Sequence, residues 1–541
     1  MSSKQILTQQ NKDLRTRLEN NRIKSELLLS SHESEIAELK EQQSKKDSTI
    51  AILQSEILQL TKELGEAKDL QAAAIEKKIE AAVAKATGSI LGELAKAHDE
   101  ILRLKSIINK DSSNSSKPPR TDGFKEIQNL REPSNRSRGG QPGHPGRRLC
   151  LPGNLEELVE RGVVKQHVVD HTTGSEEYVS RYIIDVEVIT TITEHRFAVS
   201  AKLPENMYNE VSYGDNIKAM TVLLLNEGII AEKRFSEMLE GLTGGAVSIS
   251  PATLEKFRLQ FADNLDKNGE LEAIIDDLLN GEVINTDDTT MCCSETVEYF
   301  ESGDINVLEK KGRSFKSTIR THSNETATLY TVNPKKDMEG IERDDILTKF
   351  FGILSHDHES KFFNYGTLHA TCGVHLLRAL KGLCDLEMIS WAGVMRAHIA
   401  KMNRHKNRDL KSGKIECDPE LLASFEAEYD RLIAEGRIAL SLMTKGSFGY
   451  DSLNAMLNRL TDYKDCYLLF IRNYKAPFSN NLAERDLRTE KVKEKVSMLF
   501  RSWKGLKAYT RIRSFISTVK KRKLPLFEAI SQVNSGISVL Q

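Results

Sequence analysis

The sequence predicts a multidomain protein that combines α-helical segments with an α/β domain. Its 541 residues correspond to three or four domains at roughly 150 residues each. A proline-free N-terminal stretch carries a heptad pattern, and short apolar runs after residue 280 alternate with a helical pattern. In chain order we expect a coiled coil, a linker, a small β module, a helical region and an α/β domain interrupted by helices.

The composition excludes several classes of protein. Apolar residues make up 39% of the chain and charged residues 29%, so part of it must be solvated helix or linker. Apolar runs such as Ala219–Leu225 are far shorter than the ~18 residues of a membrane span, and the N-terminus lacks an apolar signal core. Seven scattered cysteines without a Cys-x-x-Cys pair indicate reduced thiols. We therefore expect a cytoplasmic protein without a membrane partner.

Residues 1–110 predict a discontinuous coiled coil that forms a homodimer. A seam with alternating spacings of three and four runs through Ile36, Leu39, Gln43, Lys46, Ile50, Leu53, Ile57, Leu60 and Leu64. A second seam runs through Ile90, Leu94, Ala97, Ile101, Leu104 and Ile108. The polar positions Gln43 and Lys46 weaken the first seam. The alternative is a long helix that folds back on the protein's own core.

Residues 111–150 are rich in Ser, Pro, Gly and Arg, a composition that predicts a disordered basic linker. Flexible cationic segments bind phosphate backbones without reading sequence. The expected DNA contacts are Arg136, Arg138, Arg147 and Arg148. A plain solvated linker is the alternative.

Residues 151–212 predict a small β module, because β-branched runs alternate there with polar turns. The expected strands are Val163–Val169, Tyr182–Thr193 and Arg196–Val199. Residues 213–280 predict helices over Ile217–Glu227 and Glu232–Leu242, with a third that begins at Ser250-Pro251. These helices could contact DNA, although packing alone also explains their apolar faces.

From residue 281 the pattern changes to strands and then returns to helices. The expected elements are strands Glu282–Asp287, Phe315–Arg320 and Thr328–Val332, a helix near Met338–Phe351 and a buried strand Gly352–Asp357. A long helical stretch, Leu383–Phe470, separates these from a last helical segment after Pro477. This order of elements is typical of an α/β domain.

Three acidic residues form a candidate metal site. Asp287 and Asp357 each end an apolar run, where ligands collect in α/β sheets, and Glu484 lies near the start of a helix. Three carboxylates suit Mg²⁺ or Mn²⁺, and two such ions support phosphoryl transfer. Alternatively, the two aspartates cap turns and Asn481 with Glu484 forms a capping box. The pattern leaves open whether Asp287 or Asp288 is the ligand.

A cationic stripe accompanies Glu484. Arg488, Lys491 and Lys495 follow at i+4, i+7 and i+11, on the same helical face. The stretch from Glu484 to Lys523 holds fourteen Lys and Arg against four acids, a balance that predicts contact with a polyanion or with buried acids. Arg501 and Lys504 extend the predicted DNA-binding surface, together with Lys507, Arg511, Arg513 and Lys520–Lys523.

Four histidines and Cys372 lie within twenty residues of each other, from His356 to His375. Cys372 and His375 have the spacing of half a zinc site, but the second half is missing. We therefore predict a buried structural Cys–His pair rather than zinc.

These motifs, taken together, resemble the transposases of the insertion-sequence-66 type. The matching segments are Asn114–Pro119, Gly139–Gly146, Asn285–Thr289, Asp357 with Cys372-x-x-His375-x-x-Arg378, and Asn480–Arg488 with Phe500 further on. Asp288 stands where the family usually has Glu. The family usually also has a Cys-rich zinc module, whereas residues 151–215 contain no cysteine, so we expect the module at 151–212 to lack zinc.

The resemblance implies a ribonuclease-H-like catalytic domain with an Asp-Asp-Glu triad of Asp287, Asp357 and Glu484. It divides the chain into a first catalytic part (281–383), a helical insertion (384–476) and a C-terminal catalytic helix with a basic tail (477–541). It implies a bacterial, nucleoid-associated enzyme that cuts and joins double-stranded DNA at transposon ends and target with Mg²⁺. Two alternatives are a DNA-binding coiled-coil protein with an inert catalytic domain and a related metal-dependent nuclease.

Overall fold

The computed structural model describes residues 3–66, 72–111, 113–115, 151–171, 177, 179–198, 202, 210–299, 305–308 and 315–541. Most of the predicted basic linker, with Arg136, Arg138, Arg147 and Arg148, lies outside the described residues. The chain divides into two compact units, one of residues 1–123 with 195–541 and one of residues 124–194.

Two long helices open the first unit, α1 (Ser3–Glu66) and α2 (Ala72–Asn109). They contact each other, and Lys46 Nζ lies 2.9 Å from Glu93 Oε2. In α1 the half-buried positions between residues 36 and 57 coincide with the heptad seam, and the residues between them are exposed. This part of the seam therefore faces α2 of the same chain. The end of α2 is held by Lys381, whose Nζ donates to Ser113 Oγ at 2.8 Å.

The second unit contains one short helix, α3 (Leu155–Glu160), among its described residues. The strands predicted at 163–169 and 182–193, and the described part of the one at 196–199, are not formed. Their apolar side chains face solvent, with Ile183 95% and Ile192 92% exposed. β-branched residues favour a strand only where a neighbouring strand and a core accept them. The prediction of a β module is therefore wrong for these residues.

The helices predicted before the α/β domain are present. They are α4 (Asp215–Val222), continued by a π turn at Leu223–Glu227, α5 (Glu232–Leu242), α6 (Pro251–Lys267) and α7 (Glu270–Asn280). Ser250 Oγ accepts a hydrogen bond from the Thr253 N–H at 3.2 Å, which confirms the predicted cap of α6. The apolar faces of α4, α6 and α7 pack in the core of the α/β domain, where Phe261 contacts Phe515 edge to face, whereas α5 packs in a separate apolar cluster.

A mixed five-stranded sheet in the order β5-β4-β1-β6-β7 forms the centre of the α/β domain. Its strands are β1 (Val283–Cys293), β4 (Phe315–Ser323), β5 (Thr328–Asn333), β6 (Ile353–His356) and β7 (Leu368–Thr371), while β2 (Thr296–Tyr299) and β3 (Ile305–Leu308) form a separate pair. β1, β4 and β5 pair antiparallel, whereas β6 and β7 run parallel to β1. The predicted helix near Met338–Phe351 is shorter, with α8 at Met338–Asp344.

Helices follow β7. The helical stretch begins ten residues before the predicted Leu383. It contains α9 (Gly373–Leu386), α10 (Ser390–Lys411), α11 (Pro419–Ser441), α12 (Tyr450–Asp462) and α13 (Lys464–Arg472), which share an apolar core of their own. The C-terminal part contains α14 (Asn481–Ser497), α15 (Trp503–Lys521) and α16 (Leu526–Asn534). Across the described residues, no helix combines the length and the apolar character that a bilayer crossing requires.

Candidate active site

Strand pairing places Asp287 and Asp357 side by side, at the edge of the sheet where the pairing of β1 with β6 ends. β1 and β6 are parallel, and Asn285 pairs with Ser355 in the last register position. Asp287 and Asp357 each stand two residues beyond that pair, so they leave the paired region side by side. β1 continues to Cys293, which corrects the prediction that Asp287 ends its strand. Asp287 lies instead where pairing with β6 ends.

The start of α14 is fixed beside β1 by Asn480. Its Nδ2 donates to the Thr286 carbonyl oxygen at 2.7 Å, and its backbone N–H donates to Cys372 Sγ at 3.3 Å. Asn480 is the N-cap of α14 and makes no side-chain cap, and Glu484 Oε1 lies 3.7 Å from His375 Nδ1. The capping-box alternative for Glu484 is therefore wrong.

Asp287 is buried among other carboxylates. Burial raises the pKa of Asp287 to about 7, and the charges of Asp357, Asp288 and Glu484 contribute to the rise, although the Asp288 N–H opposes it. Burial also raises the pKa of Asp357. Within the described part of the chain, no Lys or Arg forms an ion pair with Asp287, Asp357 or Glu484. The site thus concentrates negative charge without a resident cationic side chain.

Asp288 occupies a different environment from Asp287. Its side chain is 1% exposed, and its carboxylate pairs with Lys361 at 2.5 Å and Lys336 at 2.9 Å, with Arg320 at 3.7 Å. Three cations therefore neutralise this buried charge. The neighbouring acids have different surroundings, as expected for consecutive residues of a strand: Asp288 pairs with cations, whereas the charges of Asp357 and Glu484 act on Asp287.

The predicted Cys372–His375 pair lies at the start of α9, and Cys372 is its N-cap. The Cys372 N–H donates to the His356 carbonyl oxygen at 2.9 Å, which fixes α9 to the end of β6. His356 contacts the Asp357 carbonyl oxygen through Nδ1 and His369 through Nε2. Burial lowers the pKa of His356 to about 3, so this histidine is neutral near pH 7 and supports the backbone at Asp357.

The predicted cationic surface divides into two groups. Exposed side chains belong to Arg488, Lys491, Lys495, Arg501, Lys504 and Lys507. The expected extension further along the chain is wrong at several positions, because its cations pair internally: Arg511 with Asp266, Arg513 and Lys520 with Glu227, Lys521 with Asp486 and Arg522 with Asp277. These pairs hold α15 and its C-terminal end against neighbouring elements.

Sequence reasoning missed two residues near this surface. Glu490 is fully buried, with Arg513 Nε 3.8 Å from its Oε1, and Lys493 is 9% exposed. Burial raises the pKa of Glu490 to about 7 and lowers that of Lys493 to about 8. The sequence does contain a signal for their burial. Glu490 and Lys493 stand at i+6 and i+9 from Glu484, which places them off the helical face that carries the exposed cations.

Comparison with known proteins identifies the family. A family profile described as Transposase IS66 family matches residues 210–508, and one described as a family of unknown function matches residues 53–149. No curated protein and no solved structure gives a significant match. The first profile spans more than half of the chain and includes Asp287, Asp357 and Glu484. The chain therefore belongs to the IS66 transposase family.

Proposed function

We propose that this transposase cleaves DNA at the ends of an insertion sequence and joins them to target DNA with Asp287, Asp357 and Glu484 as its catalytic triad. The main support for the proposal is that β1, β6 and α14 converge at one place. The β1–β6 register aligns the two aspartates, and the Asn480–Thr286 bond brings α14 to the same edge. The sheet, with three antiparallel strands and two parallel ones, supports the ribonuclease-H-like assignment.

The donor set fits a hard divalent cation. Carboxylate oxygens are the ligands that Mg²⁺ and Mn²⁺ prefer, and among the described residues no Lys or Arg pairs with these carboxylates. Asp287, Asp357 and Glu484 would hold the metal, which when bound supplies Lewis-acid stabilisation of the phosphoryl oxygens. The chain's own contribution is to hold the three carboxylates in place. His356 and Asn480 serve this purpose as positioning residues.

DNA would lie along the exposed face of α14 and the turn that follows it. Arg488 and Lys495 are exposed, and so are Arg501 and Lys504. Such cations bind phosphates and carry no sequence preference of their own. The linker arginines would add contacts of the same kind. This function places the protein in the bacterial cytoplasm, on the nucleoid.

Replacing Glu484 by Gln tests the proposal. The substitution removes a negative ligand and leaves the cationic face unchanged, so cleavage of the element's end DNA should fall by at least 100-fold while DNA binding persists or tightens. Glu494→Gln is the matched control, because Glu494 lies on the same helix and pairs with Lys491. Normal cleavage by Glu484→Gln would remove this residue from the triad.

A strand-transfer assay separates this proposal from the two alternatives. The transposase should yield products in which the cut ends are joined to target DNA. Cleaved ends without joined product would indicate a nuclease. DNA binding without cleavage, in the presence of Mg²⁺ or Mn²⁺, would indicate an inert catalytic domain.

A further inference from the structure

One group of three metal-ligating side chains in the described part of the chain has its ligand atoms within 4.8 Å of one another. The group consists of Cys372, His375 and Glu484. We propose that it is a second metal site, specific for a thiophilic divalent cation such as Zn²⁺, and that it shares Glu484 with the catalytic triad. The metal site itself does not depend on the proposed function, whereas its expected effect on DNA cleavage does.

The fold brings a third ligand, Glu484, to the Cys372–His375 pair, for which the sequence showed no second half of a zinc site. Cys372 and His375 are one helical turn apart at the start of α9, a spacing that puts both on one side of the helix. Glu484 reaches them from α14, with Oε1 3.9 Å from Cys372 Sγ and 3.7 Å from His375 Nδ1. Ligand atoms of a tetrahedral zinc site are about 3.3–3.6 Å apart, given bonds of about 2.0–2.3 Å. Small side-chain rotations would close the site.

The surroundings of Cys372 and His375 favour the binding of a cation. His375 Nδ1 is buried and has no hydrogen-bond partner within the described residues. The Asn480 N–H donates to Cys372 Sγ at 3.3 Å, which fixes the sulfur beside Glu484. Burial raises the pKa of this thiol, so a bound cation must displace its proton. Sulfur, nitrogen and oxygen together select Zn²⁺ over Mg²⁺. Three protein ligands leave a fourth position open to water.

Occupancy of this site would withdraw Glu484 from the triad. The Glu484 carboxylate cannot orient fully towards Cys372 and His375 and also serve the Mg²⁺ site beside Asp287. A thiophilic cation should therefore inhibit cleavage even when Mg²⁺ is in large excess. His375 is half-exposed, which leaves a route for the cation to enter.

Cobalt titration of the purified full-length protein tests the site without any DNA. Co²⁺ bound to thiolate gives a near-ultraviolet charge-transfer band, which we expect at one equivalent in the wild type and expect to be lost in Cys372→Ala. His375→Ala should weaken Co²⁺ binding by at least 10-fold. Cys384→Ala is the matched control, because Cys384 lies on the same helix outside the group. Circular dichroism verifies that each variant is folded.

Two outcomes would overturn the site: a wild type without the band, or a band that survives in Cys372→Ala, which lacks the sulfur that gives rise to it. With Mg²⁺ present, Zn²⁺ should inhibit wild-type cleavage, and His375→Ala should require at least 10-fold more Zn²⁺ for the same inhibition. A wild type that cleaves DNA but shows no cobalt band refutes this inference alone. A cobalt band in a protein that cleaves no DNA refutes the proposed function alone.

A different observation, on α10, supports a second inference. Lys401, Arg404, Arg408 and Lys411 are all exposed, and their spacings of three, four and three place them on one helical face. Within the described residues none of the four forms an ion pair. The one acid of α10, Asp409, is buried against Tyr474 and His405. This face therefore carries positive charge that the described residues do not neutralise.

We infer that the α10 face binds the phosphate backbone of duplex DNA, an inference that rests on the proposed function. The four cations extend along about 15 Å of helix. Lys406 Nζ donates to the Ala476 carbonyl oxygen at 2.5 Å, so α10 is fixed to the segment that leads into α14. DNA held by α10 would therefore be held at a fixed position relative to Glu484.

Arg404→Ala with Arg408→Ala tests the surface in a salt titration of binding to unrelated duplexes. The double variant should bind more weakly, and the slope of log K against log salt should fall by about one for each lost contact. Arg431→Ala with Lys464→Ala is the control, because Glu428, Glu435 and Asp430 neutralise those cations. An unchanged slope in the α10 variant refutes the inference. A wild type with no salt-dependent binding refutes the proposed function instead.

Discussion

Asp287 and Asp288 show how two adjacent acids acquire different roles from their surroundings. Asp288 is buried among Lys361, Lys336 and Arg320, whereas Asp287 faces other carboxylates. Asp288→Asn should lower the free energy of unfolding by about 1–3 kcal/mol, because Lys361 and Arg320 lose one buried acidic partner and keep one each, Glu359 and Asp344. Asp287→Asn should leave stability equal or higher and abolish cleavage. Urea unfolding and a cleavage assay measure both effects, and equal destabilisation by the two variants would contradict this assignment.

The raised pKa of Asp287 predicts how stability depends on pH. Its folded pKa of about 7 lies above the ordinary 3.8, so the folded state binds the proton more tightly than the unfolded state. The free energy of unfolding should therefore fall as pH rises from about 4 to about 7 when no divalent cation is present. Asp287→Asn should lack this part of the fall. Urea titrations in chelator at several pH values measure it, and identical pH slopes for the two proteins would count against it.

The sequence predicted the triad residues but not what holds them together. Apolar runs before Asp287 and Asp357 revealed strands, and the motif around Glu484 revealed a helix start. The bonds from Asn480 to Thr286 and Cys372 span 194 and 108 residues. No local pattern indicates such pairings, because they depend on how the helical stretch returns the chain to the sheet.

At the scale of elements, we expect the exposed cations of α14 to contribute to DNA binding rather than to stability. Lys491→Ala with Lys495→Ala should weaken binding to unrelated duplexes and lower the salt slope by about one for each lost phosphate contact. Arg511→Ala is the control, because Arg511 already pairs with Asp266 at 2.8 Å. A salt titration by gel shift measures each slope. If the control lowered the slope as much as the α14 variant, net charge rather than this face would explain the binding.

Elements were predicted well where one local pattern determines them. The Ser250 cap and Pro251 fixed the start of α6, and alternating apolar runs located β4 and β5. Prediction failed for residues 182–193, where β-branched composition was not matched by a pairing partner. It also missed β7, whose four residues include the polar His369 and Thr371. Strands depend on neighbours that are distant in sequence, whereas helices and caps do not.

At the scale of the whole molecule, the pairing of α1 with α2 limits how the chain can dimerise. Lys46 pairs with Glu93; Lys46 lies 20 residues before the end of α1 and Glu93 lies 21 residues after the start of α2, as in an antiparallel helix pair. Residue 30 of α1 therefore lies opposite the end of α2 at Asn109, and residues 3–29 continue beyond it. The seam between residues 36 and 57 is already occupied within the chain. A dimer that forms through α1 and leaves this helix pair intact would use the extension of α1.

We therefore expect dimerisation to depend on residues 3–29. Sedimentation equilibrium of the full-length protein at micromolar concentration should give a dimer, and a variant that lacks residues 1–29 should be monomeric. Ile50→Asp is the complementary variant: it should disrupt the pairing of α1 with α2, detected as lost helicity, and change the mass far less than the deletion. A deletion variant that stays dimeric would place the interface elsewhere. A monomeric full-length protein would refute the dimer.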